Sequence, residues 1–187
     1  FRFNMRIIKF ILHALVLLFF AACHSNGNNS DIEHSLSSCD SVFIEADLQW
    51  HQQYYPGLDY QVFSLDLLSN GLAFDSAYHI SGTGYNLYLS DVFLPSHVST
   101  LQDGTYRMDT TAQPYTFLPY LDFEGEITGT YLLDINTDKI RRIIGFTDGE
   151  MTVQHDEDLI CLDIILYTDS THTECYHATY RGAAIYR

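Results

Sequence analysis

The sequence predicts an all-β domain that folds as an antiparallel β-barrel, with a β-sandwich as the alternative. Apolar residues recur at every second position in run after run, which is the period of a β-strand. Turn-forming pairs such as Asn70-Gly71 and Asp103-Gly104 separate the runs, and no segment carries the i, i+3, i+4, i+7 apolar stripe of a long helix. Several runs are apolar on both faces, which favours a barrel because closure covers both faces and removes exposed edges.

The strands follow in order from this alternation. Residues 42–50 and 60–67 are predicted to form the first two strands, and Asn70-Gly71 predicts a hairpin into a third strand over residues 72–80. The Ser-Gly-Thr-Gly segment 81–84 breaks the chain, and Asp148-Gly149 predicts a later turn. Further strands are predicted at 85–89, 105–108, 123–133, 140–146, 151–154, 159–167 and 173–185.

The run 159–167 allows the sharpest prediction of strand orientation. Its alternate apolar side chains should form one unbroken interior face: Ile160, Leu162, Ile164 and Leu166. A slip by one residue would bury Asp163 without a partner instead, at a cost of several kcal/mol.

Length and charge restrict the class of protein. The chain has 187 residues, which is enough for one domain with its own core. It carries 24 acidic and 9 basic residues, a net charge of −15. This excludes a generic nucleic-acid binder and disfavours electrostatic adhesion to anionic lipid, since both need a basic surface.

The first 22 residues have the pattern of a secretory signal peptide. Residues 1–4 precede Met5 and are excluded, and the basic Arg6 and Lys9 are followed by an apolar run that ends in Ala21-Ala22-Cys23. These last residues resemble the lipobox of bacterial lipoproteins, which implies a diacylglycerol on Cys23. We therefore expect a signal peptide at 1–22, a lipidated flexible tether at 23–41 and a single barrel domain at 42–187.

Several turn-plus-strand segments resemble the calycin-like (lipocalin-like) β-barrel lipoproteins of Gram-negative bacteria. They are the segment 81–91, Ser-Gly-Thr-Gly-Tyr-Asn-Leu-Tyr-Leu-Ser-Asp; 101–106, Leu-Gln-Asp-Gly-Thr-Tyr, with Gln102 where that group has proline; and the later 148–153 and 180–182. The resemblance spans roughly residues 46–186. It implies an up-and-down barrel behind a lipid anchor, and it carries over no catalytic residue.

The cysteines left after lipidation are Cys39, Cys161 and Cys175. Cys161 and Cys175 would lie opposite each other in a hairpin that pairs Leu166 with Ser170, and would then be placed for a disulfide. A shift by one residue pair sets Cys161 against His177 instead. Buried free thiols remain the default interpretation.

No motif indicates catalysis, a cofactor or a metal. The histidines lack the spacing of a strong metal site, and there is no Cys-x-x-Cys, Gly-x-Ser-x-Gly or phosphate-binding loop. We therefore expect a protein that is not an enzyme and holds no cofactor.

Aromatic residues are the remaining signal for binding. Trp50, Tyr54 and Tyr55 follow the first strand, so they would lie at the mouth of a barrel and contact a ligand there. The alternative is that tyrosines simply suit β-strands.

Three functional interpretations stay open. The first is a cell-envelope lipoprotein, on the outer membrane, that binds a small amphipathic ligand or a glycan at the aromatic mouth. The second is an interaction module of an envelope complex with a filled barrel, and the third, weaker, is a hydrolase with an unrecognised site. The expected partners are the membrane, through Cys23, and a small-molecule, glycan or envelope-protein partner. Whether the protein faces the periplasm or the cell surface stays open.

Overall fold

The computed structural model describes residues 41–49, the strand backbone of Trp50, residues 59–96 and residues 98–187. It confirms the all-β prediction: the described residues form fifteen strands and no helix. The strands are β1 (Ser41–Trp50), β2 (Gln61–Ser69), β3 (Leu72–Phe74), β4 (Ile80–Gly82), β5 (Gly84–Leu94), β6 (Gly104–Met108), β7 (Thr116–Phe117), β8 (Leu121–Phe123), β9 (Glu126–Thr128), β10 (Tyr131–Asn136), β11 (Lys139–Gly145), β12 (Asp148–Asp156), β13 (Leu159–Tyr167), β14 (Cys175–Gly182) and β15 (Ala184–Tyr186).

Eight of these strands close into a barrel. Their order is β5-β2-β1-β14-β13-β12-β6-β7, and β7 closes the circle by pairing with β5 at Phe93 and Thr116. The β10–β11 hairpin adds to the first half of β5, and β15 adds to β1. The barrel prediction is confirmed over the sandwich.

The barrel is mixed, whereas the sequence predicts antiparallel pairs throughout. β1 pairs with β14 in parallel, and the short β7 pairs with β6 in parallel. The first difference follows from the number of strands. Without the short β7, the seven longer strands alternate in direction from β1 through β2, β5, β6, β12 and β13 to β14. Because seven is an odd number, β1 and β14 point the same way, so they can close the barrel only as a parallel pair.

The barrel interior is packed with large side chains. The predicted face of β13 is confirmed, because Ile160, Leu162, Ile164 and Leu166 are all buried while Asp163 is exposed. The largest fully buried side chains are Tyr106, Phe43, Phe93, Phe117, Phe146, Leu48, Leu65, Leu67, Leu68, Leu87, Leu89 and Leu94. Nearly all belong to one continuous interior cluster.

The predicted third strand, residues 72–80, is in fact a second hairpin. β3 pairs with β4 rather than with β2, although Asn70 and Gly71 do form a turn. The Asp75 carboxylate accepts hydrogen bonds from the Ala77 and His79 backbone amides, which folds the chain back after β3. The hairpin packs through Leu72 onto Leu68 of β2 and Ile135 of β10, outside the barrel.

Two other sequence predictions also differ from the structure. The run 123–133 is interrupted by the turn of the β8–β9 hairpin. Asp148 and Gly149 lie inside β12 instead of forming a turn. At Gly149 a Cβ would stand 2.5 Å from the Ile165 carbonyl oxygen, so glycine is needed here for close packing between strands.

Candidate functional site

An open groove lies at the barrel end where β1 finishes. β1, β5, β12 and β14 run in one direction and β2, β6 and β13 in the other, so β6 begins and β12 ends at this same mouth. The groove is lined by side chains from the loop before β6, from the residue before β7 and from the end of β12: Thr100, Gln102, Asp103, Tyr115 and His155. We call it the mouth groove.

Tyr115 supplies the aromatic surface of the mouth groove. Its backbone has φ +65°, a left-handed conformation that a bulky residue adopts only at some cost. Two hydrogen bonds hold it there: its amide donates to the Phe93 carbonyl at 2.8 Å, and its carbonyl accepts from the Arg107 amide at 3.0 Å. The side chain stays 37% exposed. Two barrel strands therefore hold one aromatic ring at the opening.

The floor of the groove fixes the position of this ring. The Tyr115 ring centroid lies 5.1 Å from that of the buried Tyr106. A Cβ at Gly104 would stand 3.3 Å from Tyr115 Cε1, closer than about nine in ten real Cβ contacts. A side chain at residue 104 would press on the ring, so glycine leaves room for it.

Tyr106 also orders the polar wall of the groove. Its hydroxyl donates to the Gln102 carbonyl at 3.0 Å and accepts from the Gln102 amide at 3.1 Å. Burial raises the pKa of this phenol above its ordinary value of 10.0, so it stays a neutral donor. Gln102 Nε2 in turn donates to the Thr100 carbonyl at 2.8 Å. The loop is thus held by a side chain of the barrel core.

Asp103 and His155 form a pair across β6 and β12. Asp103 Oδ1 lies 2.6 Å from His155 Nδ1 and accepts the His155 backbone amide at 2.9 Å. Both side chains remain partly open to solvent. A carboxylate held against Nδ1 orients the imidazole and leaves Nε2 free to contact a ligand. The mouth groove thus combines an aromatic face with amide, carboxylate, hydroxyl and imidazole groups.

A second polar cluster lies on the outer face of β1, β2 and β5. Asp47 and Asp66 are register partners across β1 and β2, and both are buried. Asp66 accepts a hydrogen bond from Asn86 Nδ2 at 2.9 Å. Burial raises the pKa of Asp66 to about 6, the Asn86 hydrogen bond opposes the rise, and the Asp47 charge adds to it.

Arg187 closes this cluster. Its Nη1 lies 3.1 Å from Asp47 Oδ2, and its backbone amide donates to the Leu48 carbonyl at 2.9 Å. The guanidinium stacks on the ring of Tyr78, 3.6 Å from its centroid. Because Asp47 is 0% exposed, its carboxylate cannot meet a ligand from solvent. We assign this cluster to stability.

Further histidine–aspartate pairs lie elsewhere on the barrel surface. His172 contacts Asp148 and His177 contacts Asp163, each at 2.6 Å. Among the residues described here, no group of three or more His, Cys, Asp or Glu side chains is arranged to hold a metal ion.

The structure describes only some of the residues that the sequence predicts as functional. Cys23, Tyr54, Tyr55 and the side chain of Trp50 lie outside the described part of the structure. The possible Cys161–Cys175 disulfide does not form: both thiols are free, as in the default interpretation, but they are half-buried and not fully buried. The loop between β13 and β14 is longer than expected.

The strand register explains why the disulfide cannot form. Tyr167 pairs with Cys175, which places Cys161 opposite Arg181, six positions further along β14. At about 3.3 Å per residue, the two thiols are too far apart to bond.

Sequence reasoning missed the mouth groove itself. The sequence predicts Asp103 only as a turn residue, and neither His155 nor Tyr115 belongs to a recognisable motif. Asp103 and His155 are distant in the chain and meet only because β6 pairs with β12. The one local signal is the Asp103-Gly104 pair, which is followed after Thr105 by the aromatic Tyr106.

In the part of the chain that the structure describes, no helix is long and apolar enough to cross a membrane. No protein-family model, curated protein or solved structure matches this chain. Its function is therefore inferred from its own residues.

Proposed function

We propose that this protein is a lipid-anchored, non-enzymatic component of the bacterial cell envelope that binds a glycan at the mouth groove. The observation that carries the proposal is the Tyr115 ring, held in a left-handed backbone conformation beside Gln102, Asp103 and His155. Residues held in a sparsely populated backbone conformation cluster at catalytic and ligand-binding sites.

The chemistry of the groove suits a sugar. The face of a pyranose ring is apolar and packs on an aromatic side chain, while its hydroxyls both donate and accept hydrogen bonds. Gln102 offers an amide, Asp103 an acceptor and His155 a ring nitrogen that serves either role. The packed barrel interior favours a ligand bound at the surface over an apolar ligand enclosed within the barrel.

The anchor supports an envelope location. The Ala21-Ala22-Cys23 segment and the resemblance to calycin-like lipoproteins both favour a lipid on Cys23 and attachment to the outer membrane. The acidic chain would remain soluble beside an anionic membrane because the two repel each other.

The binding proposal predicts that Tyr115→Ala weakens saccharide binding about tenfold, as expected for losing roughly 1.4 kcal/mol of ring contact. The measurement is saturation-transfer NMR followed by calorimetry, with di-N-acetylchitobiose, cellobiose and maltose as probes. Phe123→Ala is the matched control, because Phe123 is an exposed aromatic that does not line the groove. Gln102→Ala tests the polar wall in the same way.

Two outcomes would contradict the glycan proposal. One is that none of the saccharides binds the unmodified protein at millimolar concentration. The other is that Tyr115→Ala binds the saccharide as tightly as Phe123→Ala and the unmodified protein do, while the unfolding midpoint of both variants is unchanged.

The anchor proposal predicts that Cys23→Ala abolishes incorporation of labelled palmitate, because the diacylglycerol is attached to the thiol. The barrel should keep its unfolding midpoint, since Cys23 lies outside the described barrel strands, of which the first is Ser41–Trp50. Cys161→Ala is the control, because it removes a free thiol from the outer face of β13. Label retained in the Cys23→Ala variant would disprove the anchor.

A second candidate function is an interaction module of an envelope complex. The packed interior cluster of the described residues favours it, because a filled barrel leaves the outer surface for contacts with partners. An unusual strand edge on that surface identifies where such a contact would form.

A further inference from the structure

β11 is an edge strand with an open side. It pairs with β10, and no other described strand pairs with it. Its first five residues are all exposed. An exposed edge carries unpaired backbone donors and acceptors, so it is a template for another strand.

The side chains of β11 are unusual for this acidic chain. Lys139, Arg141 and Arg142 are three of the six basic residues that follow Cys23. None of the three forms an ion pair with another described residue, unlike Arg181, which binds Asp156, and Arg187. Half of the positive charge therefore lies along one open strand.

Two isoleucines lie among these cations. Ile140 is 57% exposed and Ile143 is 38% exposed. Neighbouring apolar side chains on an open edge are a liability in a monomer and are typical of a contact surface. The β11 edge is thus both basic and apolar.

The β8–β9 hairpin has the opposite charge and the same apolar character. All six of its strand residues are exposed, with Phe123 at 73%. Leu121 and Ile127 are exposed as well. Acidic residues stand between these apolar ones: Asp122, Glu124 and Glu126.

The base of this hairpin is held firmly. The Tyr120 amide donates to the Phe146 carbonyl at 2.8 Å, and Thr130 Oγ1 donates to the Leu118 carbonyl at 2.7 Å. The hairpin is therefore fixed at its base, while its six strand residues stay exposed.

We propose that two copies of this chain associate by placing the β8–β9 hairpin of one copy along the β11 edge of the other. The acids of the hairpin meet the cations of β11, and the apolar side chains of both surfaces pack together. In a twofold arrangement each copy offers both surfaces, so the contact forms twice. This proposal does not depend on the glycan function.

The first test is photo-crosslinking of the full chain in the cell envelope. A benzophenone amino acid replaces Ile140, and Ile185, an exposed isoleucine on β15, is the control position. We expect an adduct of twice the mass of the processed chain from residue 140, with the crosslink mapped to residues 121–128. No such adduct, or an adduct only with a different protein, would overturn the proposal.

The second test exchanges the charges between two differently tagged copies. Arg141→Glu with Arg142→Glu in both copies should reduce the adduct at least tenfold. Pairing that copy with one carrying Glu124→Arg and Glu126→Arg should restore it, because opposite charges then face each other again. All these residues are exposed, so the fold should be unaffected, and thermal unfolding of each variant checks this. An adduct insensitive to reversal, or one that the exchange fails to restore, would contradict the contact.

Discussion

Replacing Arg187 by alanine should destabilise the barrel by about 3 kcal/mol at pH 7. The variant leaves the fully buried Asp47 carboxylate without the cation that lies 3.1 Å from it. Burial already raises the pKa of Asp47, and the positive charge of Arg187 lowers it. Without that charge the folded state must keep a buried anion or take up a proton, and both cost free energy.

The measurement is urea unfolding of the full chain. Arg181→Ala is the matched control, because Arg181 and its partner Asp156 are both well exposed, and a surface pair contributes little. The double variant Asp47→Asn with Arg187→Ala should recover most of the loss, since it removes the buried charge as well. Equal losses from Arg187→Ala and Arg181→Ala would contradict the assigned role of Arg187.

Replacing Asp66 by asparagine should stabilise the protein above pH 6 by up to about 3 kcal/mol. The pKa of Asp66 is about 6 in the folded state against 3.8 for a free carboxyl. The folded state therefore binds the proton more tightly than the unfolded chain. The contribution of Asp66 to stability is fully present below pH 3.8 and is lost as the pH rises through 6.

Asparagine is neutral and keeps an oxygen that accepts the Asn86 hydrogen bond. The difference in unfolding free energy between the variant and the unmodified protein should therefore be small at pH 4 and grow between pH 4 and 6. Asp158→Asn, in the exposed turn after β12, is the control. A difference that does not change with pH would show that the buried Asp66 is not protonated near pH 6.

The sequence by itself determined most of the long barrel strands and the inward face of β13. β13 follows the period-two pattern because a buried apolar face rewards alternation locally, whatever the strand pairs with. In β1 a bulge after Phe43 breaks the alternation, so Val42 and Ile44 are exposed and Phe43 is buried. The interior position of Ile164 and the outward position of Asp163 follow from the same rule. These features need only neighbouring residues, so a sequence pattern contains them.

Register and closure were decided by the tertiary structure. Nothing in the run 159–185 fixes how many residues form the loop after Tyr167, and that number sets whether Cys161 meets Cys175 or Arg181. Asp75 divides the predicted third strand, because its carboxylate bonds to two amides that a continuous strand would give to its neighbour.

The candidate site also depends on closure. Asp103 and His155 become a pair, and the β11 edge stays open, only once each strand has found its neighbour. Strand pairs between distant segments depend on the whole set of competing contacts. A local sequence pattern does not specify these pairs. The sequence therefore predicted most of the long strands, and only the folded barrel determined which side chains meet at its mouth.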